Sequence, residues 1–277
     1  MTHLWTRLVT PFLRASRRRL ICTVHDATLH PGEFSHLKDW FYAPVPRVDH
    51  YITLTNFVAD RLEQIHAISR DRMDVIPHGV NAQFAPVPPV PRRPGEPLRL
   101  LFFGRLLPYK GLDRLLRAYK QLVGQGHPLT LTIAGSGELE DDTAQLIARL
   151  PGVTLHQRWI SEEDIPGFLA DADCVVLPYV EASQSGVVPA AFAAGVTAIV
   201  TPVGGLPEQV SHDHDGLVTE STSPSALAAA ILRLLEDPHL LPRLRAGASQ
   251  SAVNDFSWAK IAENLAEIAL ASLNRKP

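Results

Sequence analysis

The stretch LRLLFFGRLLPYKGLDRLL, residues 98–116, joins a buried strand to a helix through a loop that contains two glycines and two cations. Residues 98–103 are apolar apart from Arg99, which is typical of a strand buried on both faces of a parallel sheet. Helical periodicity then runs over residues 112–122. The stretch therefore predicts one strand–loop–helix unit of an α/β fold.

The same pattern repeats along the rest of the chain. Strands are predicted at residues 129–134, 153–156, 174–177, 197–201 and 216–218. Helices are predicted at residues 139–150, 189–195, 224–235, 240–251 and 258–273. Strands that alternate with helices predict a doubly wound parallel sheet, which binds its ligands at the carboxyl ends of its strands.

The residues before this region carry shorter elements and end in a proline-rich segment. Strands are predicted at residues 21–24, 51–54 and 73–76, with a helix at residues 57–65. Six prolines fall within residues 86–97, and this density excludes a continuous helix or a central strand. We therefore predict a hinge there between domains at residues 1–90 and 91–277, and the last helix can pack back on the first domain.

The composition is that of a globular protein without a dedicated nucleic-acid surface. The chain has 277 residues, of which 45% are hydrophobic and 20% are charged, so it can bury a substantial core. A net charge of -3 leaves no excess of cations to displace counterions from a nucleic acid. Cys22 and Cys174 each lie in an apolar run, which favours reduced cysteines in strands and a cytoplasmic location.

The N-terminal segment has two interpretations. Apolar residues at helical spacing are followed by arginines, namely Leu4, Trp5, Leu8, Val9 and Phe12, then Arg14, Arg17, Arg18 and Arg19. A basic amphipathic helix would contact anionic lipid at the inner face of the membrane. A packed helix that leads into the first strand has the same spacing, and we favour it because such spacing is common in globular helices. No apolar stretch is long enough to span a bilayer.

Four glycine-containing loops follow predicted strands, and the first and third contain groups suited to binding phosphate. In the first, Arg105 and Lys110 lie between Gly104 and the start of a helix, where cations and a positive helix end suit a diphosphate. The others are GSGE at residues 135–138, QSGVV at residues 184–188 and VGGLPE at residues 203–208. Taken singly, each loop is also compatible with surface cations or a tight turn.

Taken in order, these loops resemble the donor domain of glycosyltransferase family 4, the retaining glycosyl transferases group 1. The segments FFGRLLPYKGLDRLL, IAGSGE, DCVVLP, SQSGVVPAAFAAG and TPVGGLPEQV carry the resemblance, which covers nearly all of residues 98–277. Upstream, TVHD, DHYI and VIPHGV look like the second half of the family's acceptor domain. The resemblance implies a GT-B fold with two Rossmann-like lobes, the N-terminal one incomplete and the C-terminal one a doubly wound parallel sheet.

The resemblance also implies roles for individual residues. Arg105 and Lys110 would neutralise the donor diphosphate as the catalytic cations, so no metal or other cofactor is expected. His25 matches a histidine beside the transferred sugar, with a structural pairing to Asp26 as the alternative. The backbone near Trp159 and Ile160 would recognise the nucleobase. Further donor-binding residues are Gly104, Gly135, Gly137, Glu181, Gln184, Ser185, Gly186 and Val187.

The sequence departs from the family pattern in two places. Ala182 and Ala190 occupy the positions of two glutamates, although Glu181 and Gln184 lie close to the first position. About 100 residues of a full acceptor domain are also absent, judged from the usual size of one doubly wound half. We expect a mis-assigned start, a fragment or a degenerate relative. The run HDHD at residues 212–215 is predicted to be a solvated turn, because no further ligand is spaced to complete a metal site.

The function implied by the resemblance is that of a retaining hexosyltransferase of polysaccharide biosynthesis. It would move a sugar from a nucleotide-diphosphate sugar to a glycan or lipid-linked acceptor. A non-catalytic nucleotide-sugar-binding or partner module is the alternative, favoured by the two alanines and the shortened N-terminal lobe. An epimerase or a phosphorylase on the same fold is a third hypothesis, and the phosphorylase would need a cofactor lysine that the sequence does not identify.

Overall fold

The computed structural model describes residues 19–27, 48–80 and 95–274, together with the single residues Phe12, Val90 and Arg93. The predicted N-terminal helix and most of the predicted hinge at residues 86–97 lie outside the described residues. The chain divides into two compact units. The first comprises Met1–Gly79 and Asp255–Pro277, and the second comprises Val80–Asn254.

The secondary structure follows the alternating pattern of the sequence. The strands are β1 Ile21–Val24, β2 His50–Thr53, β3 Met73–Val75, β4 Leu98–Phe103, β5 Leu129–Gly135, β6 Val153–Gln157, β7 Cys174–Leu177, β8 Thr197–Val200 and β9 Gly216–Val218. The helices are α1 Asn56–His66, α2 Leu112–Gly124, α3 Asp141–Arg149, α4 Ile165–Ala170, α5 Val187–Ala193, α6 Leu206–Gln209, α7 Pro224–Glu236, α8 Leu240–Asn254 and α9 Trp258–Asn274. Each predicted strand is present within one residue of its expected bounds.

The first unit is built on a three-stranded parallel sheet in the order β1-β2-β3. Side chains alternate across β2, so Tyr51 and Ile52 face opposite sides of the sheet. Tyr51 shares a core with Val58 of α1, whereas Ile52 shares one with Ile261 of α9. The apolar stripe of α9 thus places the C-terminal helix in the first unit. The predicted division at residue 90 assigned this helix to the second domain, with the expectation that it can pack back on the first.

The second unit is built on a six-stranded parallel sheet in the order β6-β5-β4-β7-β8-β9. The chain winds outward from β4 to β6, crosses to β7, and winds outward again to β9. This order confirms the predicted doubly wound sheet. It creates a topological switch point between β4 and β7, where the carboxyl ends of the strands border a crevice suited to a ligand.

The two halves of the larger sheet are joined unequally. Strands β4 and β5 pair over their whole length, from Leu98 with Leu129 to Phe103 with Ala134. Strands β4 and β7, which meet at the switch point, pair only at Leu100 with Cys174 and Leu101 with Val175. This short pairing of β4 with β7 is the seam of the sheet. It lets the carboxyl ends of the two strands diverge and leaves room for the loops that follow them.

One face of the larger sheet is covered by α2 and α7. Leu115 and Tyr119 of α2 and Ile231 of α7 are fully buried and share a core with strand residues such as Ile133 and Ile199. The spacing of Leu112, Leu115, Leu116, Tyr119 and Leu122 puts these side chains on one stripe of α2. This packing fixes α2, and with it the loop that precedes α2 at the switch point.

The loops after β4 and β5 touch backbone to backbone. The Gly104 N–H donates to the Ala134 carbonyl at 3.0 Å, and the Leu106 N–H donates to the Ser136 carbonyl at 2.7 Å. A Cβ atom on Gly135 would lie 1.7 Å from the Gly104 carbonyl oxygen. Gly135 therefore permits a close approach between the loop after β4 and the loop after β5.

We expect Gly135→Ala to destabilise the second unit by about 1–3 kcal/mol or more, because the new methyl group must push the Gly104 backbone aside. Urea unfolding would measure the change in the free energy of unfolding. Gly167→Ala is the matched control, since a Cβ atom there meets no atom within 4 Å. Equal stability of the two variants would contradict the proposed contact.

Candidate functional site

The candidate site lies at the carboxyl ends of β4 and β7. The loop after β4 runs from Gly104 to Gly111, and the loop after β7 runs from Pro178 to Gly186. The Val180 N–H donates to the Tyr109 carbonyl at 2.8 Å. Gly111, at φ +67°, is pressed so close to Pro178 that a Cβ atom would lie 2.0 Å from its carbonyl oxygen. The two loops are thus fixed against each other at the switch point.

Lys110 is held by aromatic rings. Its Nζ lies 3.8 Å from the ring centroid of Tyr179 and 5.1 Å from that of Tyr109. Both tyrosines are buried, and their rings meet edge to face at 6.4 Å. Within the part of the chain that the structure describes, no carboxylate forms an ion pair with Lys110. Cation–π contacts therefore position the ammonium group without neutralising its charge.

Arg105 lies on the same loop and is exposed. Its Nη2 lies 3.4 Å from the hydroxyl of Tyr109, the residue that also packs against Lys110. The structure thus brings the two predicted cations onto one tyrosine at the switch point. A guanidinium group can bind phosphate oxygens through two parallel hydrogen bonds, and an ammonium group adds a compact charge.

Ser185 in the loop after β7 is held by a buried glutamine that sequence reasoning missed. The Ser185 N–H donates to Oε1 of Gln209 at 2.7 Å, and Nε2 of Gln209 donates to the Ser185 carbonyl at 3.1 Å. The Ser185 Oγ accepts from the Val187 N–H at 3.2 Å. It also lies 3.4 Å from the Tyr179 hydroxyl. Gln209 therefore fixes the backbone of this loop and links it to the tyrosine under Lys110.

The positions near Ser185 differ in their surroundings. Ala182 and Ala190, which replace the glutamates of the family pattern, are both buried. Glu181 and Gln184 are half-buried, and Gly186 is exposed. The Oε1 atom of Gln184 is removed from solvent and finds no hydrogen-bond partner among the residues that the structure describes. An unpaired buried amide oxygen is costly, so a donor from a ligand would stabilise it.

The predicted nucleobase residues follow β6, at one edge of the larger sheet. Trp159 is 76% exposed, whereas Ile160 is buried. The Trp159 carbonyl accepts a hydrogen bond from Nη1 of Arg158 at 3.1 Å, and the same atom pairs with Asp164 at 2.8 Å. The carbonyl thus already accepts a hydrogen bond from a neighbouring side chain at the surface, and the Trp159 indole is exposed.

The glycines predicted to admit the donor have a structural role in their own loops. Gly104 and Gly137 have φ angles of +130° and +142°, where other residues are strained. A Cβ atom on Gly137 would lie 2.6 Å from the Leu106 carbonyl oxygen. With Gly135, these glycines let the first two loops pack together, which holds Arg105 in place.

His25 lies in the first unit, directly after β1. Its ring meets that of His78, which follows β3, edge to face at 6.3 Å. Nδ1 of His78 lies 2.8 Å from the Gly79 carbonyl oxygen. Both rings line a cavity of about 270 Å³ at the carboxyl ends of the three strands. The pKa of His25 is lowered by partial removal of its ring from water, raised by Asp26 and lowered by His78.

We expect the pKa of His25, measured by NMR titration, to lie below its ordinary value of 6.5. His78→Gln should raise this pKa because it removes a like charge, and Asp26→Asn should lower it further. The unfolded chain then binds the proton more tightly, so the first unit should lose stability as the pH falls below 6.5. An unchanged His25 pKa in both variants would contradict this electrostatic coupling.

The HDHD run at residues 212–215 belongs mostly to the surface, as predicted. Asp213 pairs with Arg233 at 2.6 Å, and the two histidines are exposed. Asp215 departs from the prediction because it is buried and accepts hydrogen bonds from the Ser211 N–H and the Ser251 hydroxyl, each at 2.8 Å. Its carboxylate is used to join the turn to α8.

Among the described helices, none is both long enough and apolar enough to cross a membrane.

Comparison with solved structures identifies the fold. Anabaena Alr3699/HepE in complex with UDP-glucose superposes with a TM-score of 0.77 at 20% sequence identity, covering 96% of this chain and 76% of that chain. At this identity the likeness shows the fold alone. The two parallel sheets and this structural neighbour confirm the predicted GT-B class.

Comparison with known sequences identifies the family. Glycogen synthase from Mycobacterium tuberculosis H37Rv is 32% identical over 268 residues, which cover 91% of this chain and 63% of that protein. D-inositol 3-phosphate glycosyltransferase from Streptomyces coelicolor is 28% identical over 255 residues, 81% of this chain and 56% of that protein. The chain thus spans less than two thirds of these relatives. Residues 1–84 match the Glycosyltransferase Family 4 model, and residues 97–237 match the model of the glycosyl transferases group 1. The chain therefore belongs to the glycosyl transferases group 1.

Proposed function

We propose that this protein transfers a hexose from a nucleoside diphosphate sugar to an acceptor hydroxyl, with retention of the anomeric configuration. The observation that carries the proposal is the Lys110 ammonium group, which lies over Tyr179 at the switch point of the larger sheet. No carboxylate of the described residues pairs with this ammonium group. A fixed charge of this kind suits the negative charge that develops on a departing diphosphate.

The transfer step has a simple atom balance. The acceptor oxygen forms a bond to the anomeric carbon, and the bond from that carbon to the diphosphate oxygen breaks. The diphosphate leaves with the electron pair, and the acceptor proton passes to a departing phosphate oxygen. Arg105 and Lys110 would stabilise the leaving group, so we propose that the reaction proceeds without a metal ion.

The relatives support a choice of donor and setting. HepE is solved in complex with UDP-glucose, and glycogen synthase is named for a glucan product. UDP-glucose is therefore the first donor to test, with ADP-glucose and GDP-mannose beside it. Both cysteines are free, which supports a cytoplasmic site of action.

A non-catalytic nucleotide-sugar-binding module is the second candidate. It is favoured by Ala182 and Ala190, which put methyl groups where the family pattern has carboxylates. Such a module would bind the donor through the same loops and leave it intact. Donor cleavage therefore separates the two candidates, whereas donor binding does not.

The test has two stages on the full chain. Calorimetry with UDP, ADP and GDP measures binding, and NMR then follows each sugar nucleotide in the presence of glucan or alcohol acceptors, with and without EDTA. We expect one nucleotide to bind, and the sugar to move to the acceptor with its α configuration kept and no loss of rate in EDTA. Binding without cleavage would favour the module, and no binding by the folded chain would overturn both.

A further inference from the structure

The cavity in the first unit is apolar over most of its surface. It lies where β1, β2 and β3 end, and open α/β sheets bind ligands at this edge. Ile52 and Ile76 line it from the strand side, and Ile261 and Leu265 line it from α9. Its volume of about 270 Å³ is near the lower end of the range of roughly 300–1,000 Å³ for small-molecule pockets. An alkyl chain or a small ring fits such a space, and an oligosaccharide does not.

The wall formed by α9 is held close to the strand ends. A Cβ atom on Gly79 would lie 2.7 Å from the Trp258 ring and 2.9 Å from Cδ1 of Ile261. Glycine thus allows the first turn of α9 to seat directly on the segment after β3. Because this contact is tight, the cavity is formed before a ligand arrives, and binding need not order the helix.

The cavity has few polar groups, and none of those from the described residues is a carboxylate, an ammonium or a guanidinium group. Among the described residues that line it, the polar side chains are those of Thr23, His25 and His78. No lysine, arginine, aspartate or glutamate is among these lining residues, so a phosphate-bearing acceptor would lose its hydration without gaining an ion pair. A sugar acceptor would leave most of its hydroxyls unpaired against the isoleucines.

We propose that this cavity binds the hydrocarbon part of an aliphatic alcohol, whose hydroxyl group is the acceptor of the sugar and meets the histidine pair. The assignment rests on the proposed transferase function and narrows its acceptor to an apolar alcohol. An imidazole ring that is not protonated can accept the hydrogen bond of the hydroxyl group and thereby orient it. The apolar lining of Ile52, Ile76, Ile261 and Leu265 supplies the affinity through burial of the alkyl chain.

The experiment uses n-octanol as the probe and the full chain. Chain with ¹³C-labelled isoleucine methyl groups is titrated with n-octanol, and we expect saturable shifts of Ile76 and Ile261. Leu265→Glu should weaken octanol binding about tenfold or more, because it places a carboxylate against the alkyl chain. Leu270→Glu is the matched control, since Leu270 lies on the same helix, is 63% exposed and does not line the cavity.

Each outcome decides the proposal. Saturable binding that Leu265→Glu removes and Leu270→Glu keeps, with octyl glycoside formed from the donor, supports it. Absence of saturable shifts, or equal effects of the two variants, overturns it while UDP binding and glucan transfer can still support the proposed function. Transfer to glucan but not to bound octanol overturns the acceptor assignment. Octanol binding in a chain that binds no nucleotide overturns the proposed function and, with it, the acceptor role of the bound alcohol.

Discussion

Replacing Asp173 with alanine is expected to lower the free energy of unfolding of the second unit by about 3–5 kcal/mol. Asp173 is 0% exposed and immediately precedes β7. Its carboxylate accepts hydrogen bonds from the Arg99 backbone N–H at 2.9 Å, from Nε at 3.1 Å and from Nη2 at 2.8 Å. Nη1 of Arg245 adds an ion pair at 3.5 Å. The carboxylate therefore contacts two guanidinium groups at once and offsets part of their charge.

The cost arises from what the substitution leaves behind. Burial lowers the pKa of Arg245, whereas Asp173 raises it. In the described part of the chain, the Nη2 atom of Arg245 has no hydrogen-bond partner. Without Asp173 this largely buried cation would lose its ion pair and keep the hydrogen bond from its Nε to the Gly195 carbonyl. Urea unfolding would measure the loss, with Asp164→Ala as the control because the Arg158–Asp164 pair lies at the surface. A loss no larger than that of Asp164→Ala would show that the contacts of Asp173 with Arg99 and Arg245 do not stabilise the second unit.

Replacing Lys110 with alanine is expected to slow donor cleavage by about 100–1,000-fold. Binding of the nucleoside diphosphate should weaken by about 1–3 kcal/mol, because a charge-assisted contact is lost. The two tyrosine rings that hold Lys110 remain in place, so the fold should be unaffected. Arg105→Ala should have an effect in the same direction, since Arg105 lies on the same loop.

The matched control is Lys120→Ala, which removes an exposed lysine from α2 of the same unit. Calorimetry gives the affinity of each folded variant, and release of the nucleoside diphosphate gives the rate. Unchanged affinity in both Lys110→Ala and Arg105→Ala, or an equal effect of Lys120→Ala, would remove the diphosphate assignment.

The strands could be predicted from the sequence because each is a short apolar run ended by a loop. The run at residues 174–177, for example, is a strand with those bounds. Helices α4 and α6 are too short to show a period, and they were not predicted individually. The GT-B class was predicted from the order of the loops along the chain, because no single loop is specific to that class.

The sequence places Arg105 and Lys110 on one loop, but it does not predict the contacts of that loop. Lys110 and Tyr179 are distant along the chain, and only the pairing of β4 with β7 brings their loops together. Gln209 directly follows the glycine-rich loop at residues 203–208, and its amide meets the Ser185 backbone only after folding. Asp215 looked solvated because its partner Ser251 follows 36 positions later.

The short seam between β4 and β7 has a consequence for the order of folding. Its contacts join residues 74 positions apart, as in the bond from Arg99 to Asp173, whereas β4 meets β5 after a much shorter excursion of the chain. Closing a longer loop costs more conformational entropy, so the β4–β5–β6 half is expected to assemble before the seam closes. The crevice exists only once the seam is closed. If the proposed function holds, newly made chains should therefore gain affinity for a nucleoside diphosphate only after this seam has closed.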